Sequence, residues 1–218
     1  MENKRIVVKI GTSTLAHPSG LLNIRRVEEL CRVLSDLKNA GHEIILVSSG
    51  AIGMGAGKLS LPHRPEDTPT KQAAAAVGQC ELMYTYDKAF AEYNHTVATE
   101  EMGIGDNDTL AAVVAVSMEA DLLILLSDID GLYTADPHTH PEATLIAEIP
   151  ALTREIWELA GGSGSSLGTG GMSTKLQAAD ICTQAGCDMV IANGSSPSVL
   201  YDIADGKPVG SRFRGKKG

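Results

Sequence analysis

Residues 121–126 read Asp-Leu-Leu-Ile-Leu-Leu, the most hydrophobic strand in the chain, and such a run is satisfied only where both of its faces are covered. It belongs at the centre of a parallel sheet with helices on either side. The rest of the apolar set agrees. It is mainly Ala, Val, Ile and Leu, with only 4% aromatic residues, which suits helices packed on a buried sheet better than an all-β sandwich. The expected class is therefore α/β, a three-layer α-β-α sandwich around a mostly parallel sheet. At 218 residues, one domain spanning 1–218 is expected.

The chain repeats one unit: strand, glycine turn, helix. Ile6-Val7-Val8-Lys9-Ile10 is a β-branched run bounded by Gly11-Thr12-Ser13. Apolar residues at Ile24, Val27, Leu30, Val33, Leu34 and Leu37 then predict an amphipathic helix over 23–39, closed by Ala40-Gly41. A second strand over 43–47 breaks at Ser48-Ser49-Gly50. A Pro- and charge-containing connection over 57–70 leads into an Ala-rich helix, whose small residues suggest close packing against another helix or subunit. An acidic turn, Asp106-Asn107-Asp108, opens a further helix through Met118. The last predicted strand is 189–192.

Open α/β sheets bind ligands beyond the carboxyl ends of their strands, and several polar groups fall there. Lys9 interrupts an otherwise apolar strand beside the Gly11 turn; a lysine snorkelling out at the strand end is the alternative reading. The Ser48-Ser49-Gly50 corner offers hydroxyls and amides. Asp106-Asn107-Asp108 is either an N-cap or a holder of a small substrate's charged groups. A carboxylate at the mouth of a buried strand is costly unless paired, so Asp128 calls for a cation, with Lys9 and Lys175 as candidates; an exposed turn aspartate is the other reading. The stretch 161–175, rich in Gly, Ser and Thr, leaves backbone N–H groups uncovered and runs straight into a helix start bearing Lys175, an arrangement for holding an anion. A flexible linker would not normally be followed at once by a helix.

Charge and cysteine usage narrow the function classes. Twenty-seven acidic against eighteen basic residues give a net charge of −9, which argues against nucleic acid as a partner. The basic cluster Arg212, Arg214, Lys216 and Lys217 reads as a solvated tail. Cys31, Cys80, Cys182 and Cys187 show no CxxC spacing, so reduced thiols in a cytoplasmic protein are expected rather than a disulfide framework or metal site. No signal-peptide core or run of eighteen apolar residues is present, so no membrane association is expected.

Five motifs in order, Val8-Lys9-Ile10-Gly11-Thr12-Ser13, Ser48-Ser49-Gly50-Ala51-Ile52, Gly105-Asp106-Asn107-Asp108-Thr109-Leu110, Ser127-Asp128 with Gly131-Leu132-Tyr133-Thr134-Ala135-Asp136-Pro137, and Gly168-Thr169-Gly170-Gly171-Met172-Ser173-Thr174-Lys175, resemble the amino acid kinase family over nearly the whole chain. Within that family they are similar to the members that act on glutamate. The resemblance implies ATP-dependent phosphorylation of the γ-carboxylate of L-glutamate, with Mg²⁺ bridging phosphate oxygens, as the first step of proline biosynthesis. It implies Lys9 and Lys175 as transfer lysines and Asp128 as the group that orients them. It also implies nucleotide contacts from Lys9, Gly11, Ser127, Asp128, Thr169, Gly170, Gly171, Met172, Ser173, Thr174 and Lys175, and contacts to glutamate from Ser49, Gly50 and Asn107. A homo-oligomer and functional coupling to a glutamate-5-semialdehyde dehydrogenase are the implied partners. The family's C-terminal RNA-modification-type (PUA-type) domain is not expected here.

One departure stands out. In the family a strand-helix-strand block separates two flanks that share Thr-Val-Ala, whereas here Asn94-His95-Thr96-Val97-Ala98-Thr99-Glu100 runs one flank straight into the other. This reads as an internal deletion near 95–99. His95 then stands where the family has an aspartate that helps hold glutamate. A nucleotide-binding but catalytically impaired protein, or a kinase of another small carboxylate or carbamate, is the alternative function.

Overall fold

In the computed structural model, residues 3–17, 21–63, 65–97, 106–137, 139–160 and 171–216 are described. In chain order the elements are β1 (Arg5–Ile10), α1 (Thr12–Leu15), α2 (Ile24–Asn39), β2 (Glu43–Ser48), α3 (Ala51–Lys58), α4 (Thr68–Ala91), α5 (Asn107–Ser117), β3 (Leu122–Ser127), β4 (Glu148–Ile149), α6 (Arg154–Leu159), α7 (Met172–Gln184), β5 (Asp188–Asn193), α8 (Val199–Ala204) and β6 (Ser211–Phe213).

The strands form one sheet in the order β2-β1-β3-β5-β6-β4. Only the β5–β6 pair is antiparallel; the other neighbouring pairs run parallel. β3 lies between β1 and β5, and all six of its residues are buried, as its unbroken apolar run requires. Alternate side chains feed two cores. On one face Ile6, Val8 and Ile10 of β1 and Leu122, Ile124 and Leu126 of β3 meet α2, α8 and the Leu82–Tyr86 part of α4. On the other, Val7, Leu123, Leu125, Met189 and Ile191 meet the alanines of α5 and Leu176, Ala178, Ala179 and Cys182 of α7. The expected three layers are present.

One expectation needs correction, and one element was not anticipated. The basic residues near the C-terminus are not a free tail: Arg212 lies in β6, its Nη1 3.2 Å from Asp188 Oδ2, and Arg214 pairs with both Glu148 and Asp188. Those carboxylates draw the segment onto the sheet, and buried Phe213 anchors it. Helix α6 was also not apparent, because its short sequence, Arg-Glu-Ile-Trp-Glu-Leu, has no buried residue to mark an apolar face. Among the described residues no helix is long and apolar enough to cross a membrane.

Candidate active site

Parallel strands deliver their carboxyl ends, and the helices that follow deliver their N-termini, to one edge of the sheet. Ile10 stands beside Ser48 in register, and Ser49 N–H donates to the Ile10 carbonyl at 3.1 Å, so the turns after β1 and β2 lie together. Lys9, on β1 between Val47 and Leu125, sends its ammonium to this edge.

There it meets Asp108. Lys9 Nζ stands 2.7 Å from Asp108 Oδ1, and Lys175 Nζ, from the first turn of α7, stands 3.2 Å from Oδ2. The carboxylate is 2% exposed and the lysines 12% and 7%, so two cations from distant parts of the chain share one buried anion. Thr174 Oγ1 lies 3.0 Å from Oδ2 and 2.8 Å from the Gly171 carbonyl, serving one of them at a time with its single proton. Burial pushes the Asp108 carboxyl up, but the facing Lys9 and Lys175 ammonium groups outweigh it and hold the carboxyl below its ordinary value.

The pairing expected of Asp128 therefore falls to Asp108. Asp128 is exposed at the end of β3, forms no ion pair among the described residues, and accepts a hydrogen bond from Ser127 Oγ at 3.1 Å. In water an aspartate needs no cation, and the premise of a costly buried charge does not apply to it. The sequence carried a sign of the true partner. Asp108 stands three, four and seven residues before Ala111, Ala112 and Ala115, all buried, so it occupies the inward stripe of α5. Asp106 is the N-cap, accepting from the amides of Asp108 and Thr109 at 3.0 and 2.8 Å.

The candidate contacts to the small substrate come together nearby. Asn107 Nδ2 donates to Ser49 Oγ at 2.5 Å, tying the start of α5 to the turn after β2. Gly50 caps α3 at φ +124°, in the left-handed half of backbone space, and a side chain there would point into open space. The N-caps of α1, α3 and α7 are glycines, Gly11, Gly50 and Gly171, which supply no side chain to the first helical amides. Met172, Ser173 and Thr174 form the opening turn of α7; Thr169 and Gly170 lie outside the described residues.

Cations and uncapped amides, rather than a nucleophile and a base, make this edge suited to positioning anions and neutralising charge that moves between them. No group of three metal-ligating His, Cys, Asp or Glu side chains occurs among the described residues.

A sequence profile described as "Amino acid kinase family" matches residues 4–100 and again 94–193. Glutamate 5-kinase of Clostridium perfringens is 45% identical over 262 positions, covering 100% of this chain and 97% of that protein. The glutamate 5-kinase of Listeria innocua is 45% identical over 260 positions, covering 99% and 94%. Since this chain has 218 residues, at least 44 of the 262 positions have no counterpart in it, and the family profile matches residues 94–100 twice. Among solved structures, UMP kinase from Bacillus anthracis has a TM-score of 0.70 at 16% identity, covering 98% of this chain and 97% of that one. Carbamate kinase from Giardia lamblia bound to AMP-PNP gives the same score and identity, covering 98% and 99%. At that identity the likeness speaks for the fold.

Proposed function

Because the chain belongs to the amino acid kinase family, we propose that it transfers the γ-phosphoryl group of ATP to the γ-carboxylate of L-glutamate, forming L-glutamyl 5-phosphate in the opening step of proline synthesis. The observation that carries the chemistry is the Lys9–Asp108–Lys175 arrangement; near-complete alignment to glutamate 5-kinases carries the substrate.

In this reading a γ-carboxylate oxygen attacks the terminal phosphorus as the bond from that phosphorus to the β–γ bridging oxygen breaks, and ADP departs with that electron pair. No proton has to move, so the protein needs no general base. Lys9 and Lys175 approach the moving group from two sides and neutralise charge spreading over its equatorial oxygens. Asp108 keeps the two ammonium groups from repelling each other apart. The Gly11 amide faces the phosphates and the Gly50 amide the acceptor carboxylate. Ser127, Asp128, Thr169 and Gly170 hold the nucleotide together with the α7 start, Gly171 through Lys175. Ser49 and Asn107 hold glutamate, and a bound Mg²⁺ would supply further neutralisation of phosphate charge. The acyl phosphate hydrolyses readily, which favours a dehydrogenase partner that consumes it directly. We further propose a cytoplasmic homo-oligomer.

The missing positions favour a second reading, a protein that binds nucleotide but turns over little, since they remove a contact to the acceptor. Two measurements separate the readings: hydroxylamine trapping of the acyl phosphate, and thermal stabilisation by MgADP. Glutamate-dependent hydroxamate that falls at least about a thousandfold in Lys9→Ala and Lys175→Ala supports the kinase. Stabilisation by MgADP without hydroxamate supports the second reading, and no response to nucleotide sinks both.

A further inference from the structure

Tyr86, on the far side of α4 from solvent, is buried to 2% of its surface, and its ring lies against Phe90 with centroids 6.2 Å apart. A phenylalanine would fill that space equally well. What the tyrosine adds is a hydroxyl 2.7 Å from Ser48 Oγ, at the last residue of β2. Ser48 Oγ in turn stands 3.1 Å from the Ser49 carbonyl oxygen, which can only accept. Ser48 has one proton, and giving it to that carbonyl fixes the direction of the relay: Tyr86 donates to Ser48, and Ser48 donates to the peptide joining Ser49 to Gly50.

That peptide precedes the left-handed Gly50, and its orientation sets where the Gly50 amide and the Ser49 side chain point. Ser49 Oγ accepts from Asn107, so its own proton is left to give, and no acceptor for it stands among the described residues. A hydroxyl donor beside a helix-start amide fits a carboxylate. We propose that Tyr86 is a positioning residue for the acceptor substrate, holding the Ser48-Ser49-Gly50 turn through the Ser48 hydroxyl so that Ser49 and the Gly50 amide meet the substrate carboxylate. This rests on the glutamate kinase reading above and extends it to a side chain that touches neither substrate.

The test is the kinetic split in Tyr86→Phe, Ser48→Ala and the double variant, with thermal shift by glutamate on the MgADP complex as a readout independent of turnover. Loss of one neutral hydrogen bond should raise the glutamate KM about three- to tenfold, with kcat and the MgATP KM within about twofold of wild type. Because Tyr86 acts through Ser48, the double variant should be no worse than Ser48→Ala alone. An unchanged glutamate KM in Tyr86→Phe, equal effects on both substrates, or additive effects in the double variant would overturn the proposal. If the wild-type chain forms no hydroxamate and glutamate shifts no melting curve, the assignment of glutamate itself fails and this proposal falls with it.

Discussion

A carboxylate shared by two lysines is more consequential to lose than any single lysine, because the loss leaves two like charges buried side by side. Asp108→Asn keeps the shape of the side chain and removes its charge. Breaking a buried pair in this way costs about 3–5 kcal/mol, and the stability deficit should depend on pH. The folded carboxyl is held below its ordinary value, while the unfolded one titrates near the usual aspartate value of about 3.9. The stabilisation is therefore fully present above that value and disappears as pH falls through the folded one. Urea unfolding of wild type and variant should differ at pH 6 and by less at pH 3; a gap that stays constant would mean that Asp108 is not the ionised partner. Lys9 and Lys175 were legible in the sequence because a lysine at a strand end and another on a glycine-led helix start each contradict a simple local pattern. Their shared partner was legible only through the spacing of Asp108 to Ala111, Ala112 and Ala115, and packing of α5 against α7 and β1 is what turns that stripe, rather than Asp106 or Asp128, inward.

Elements were legible wherever one period ran long enough. β3, α2 and the helix after the glycine-rich stretch lie where the sequence puts them, since each buries a continuous run or stripe. β4, β6 and α6 are two to six residues long and are made by tertiary contacts: buried Ser211 Oγ accepts from the Leu132 amide and donates to the Ile146 carbonyl, joining three segments that no local pattern connects. The Ala-rich α4 was read as a close-packing helix, and its partner is α3. A Cβ on Gly78 would stand 1.8 Å from the Ala51 carbonyl oxygen, so the two helices touch backbone to backbone. Gly78→Ala should therefore reverse the usual helix-propensity gain of about 1 kcal/mol and destabilise by about 1–3 kcal/mol. Ala51 opens α3 directly after Gly50, so the displaced helix should also raise the glutamate KM more than the MgATP KM. Denaturant melts beside steady-state kinetics check both, with exposed Ala76→Gly as the control in which propensity alone acts.

Across the whole molecule, the kinase reading proposed above divides the site into a nucleotide half and an acceptor half that the missing positions should affect unequally. The nucleotide side rests on the end of β3 and the start of α7, and the lysine pair spans β1, α5 and α7; β1 and β3 stand in the central, doubly covered part of the sheet. The acceptor side hangs on β2, the end strand of the sheet, whose Ile44, Ile45 and Leu46 are only half-buried, and on α4, which ends just before the doubly matched 94–100. At least 44 positions of the Clostridium perfringens relative have no counterpart in this chain, and the family profile matches 94–100 twice. Restoring them between residues 95 and 100 as a chimera should then act on one substrate. A hydrogen bond to a charged group contributes about 1.5–3 kcal/mol, so the glutamate KM should fall roughly ten- to a hundredfold. MgADP affinity, measured by calorimetry, should stay within about twofold, because no nucleotide-side element changes. A chimera that tightens nucleotide and glutamate alike would show that the inserted block stabilises the fold as a whole rather than completing the acceptor pocket. One that tightens neither would place the acceptor contacts entirely on Ser49, Gly50 and Asn107.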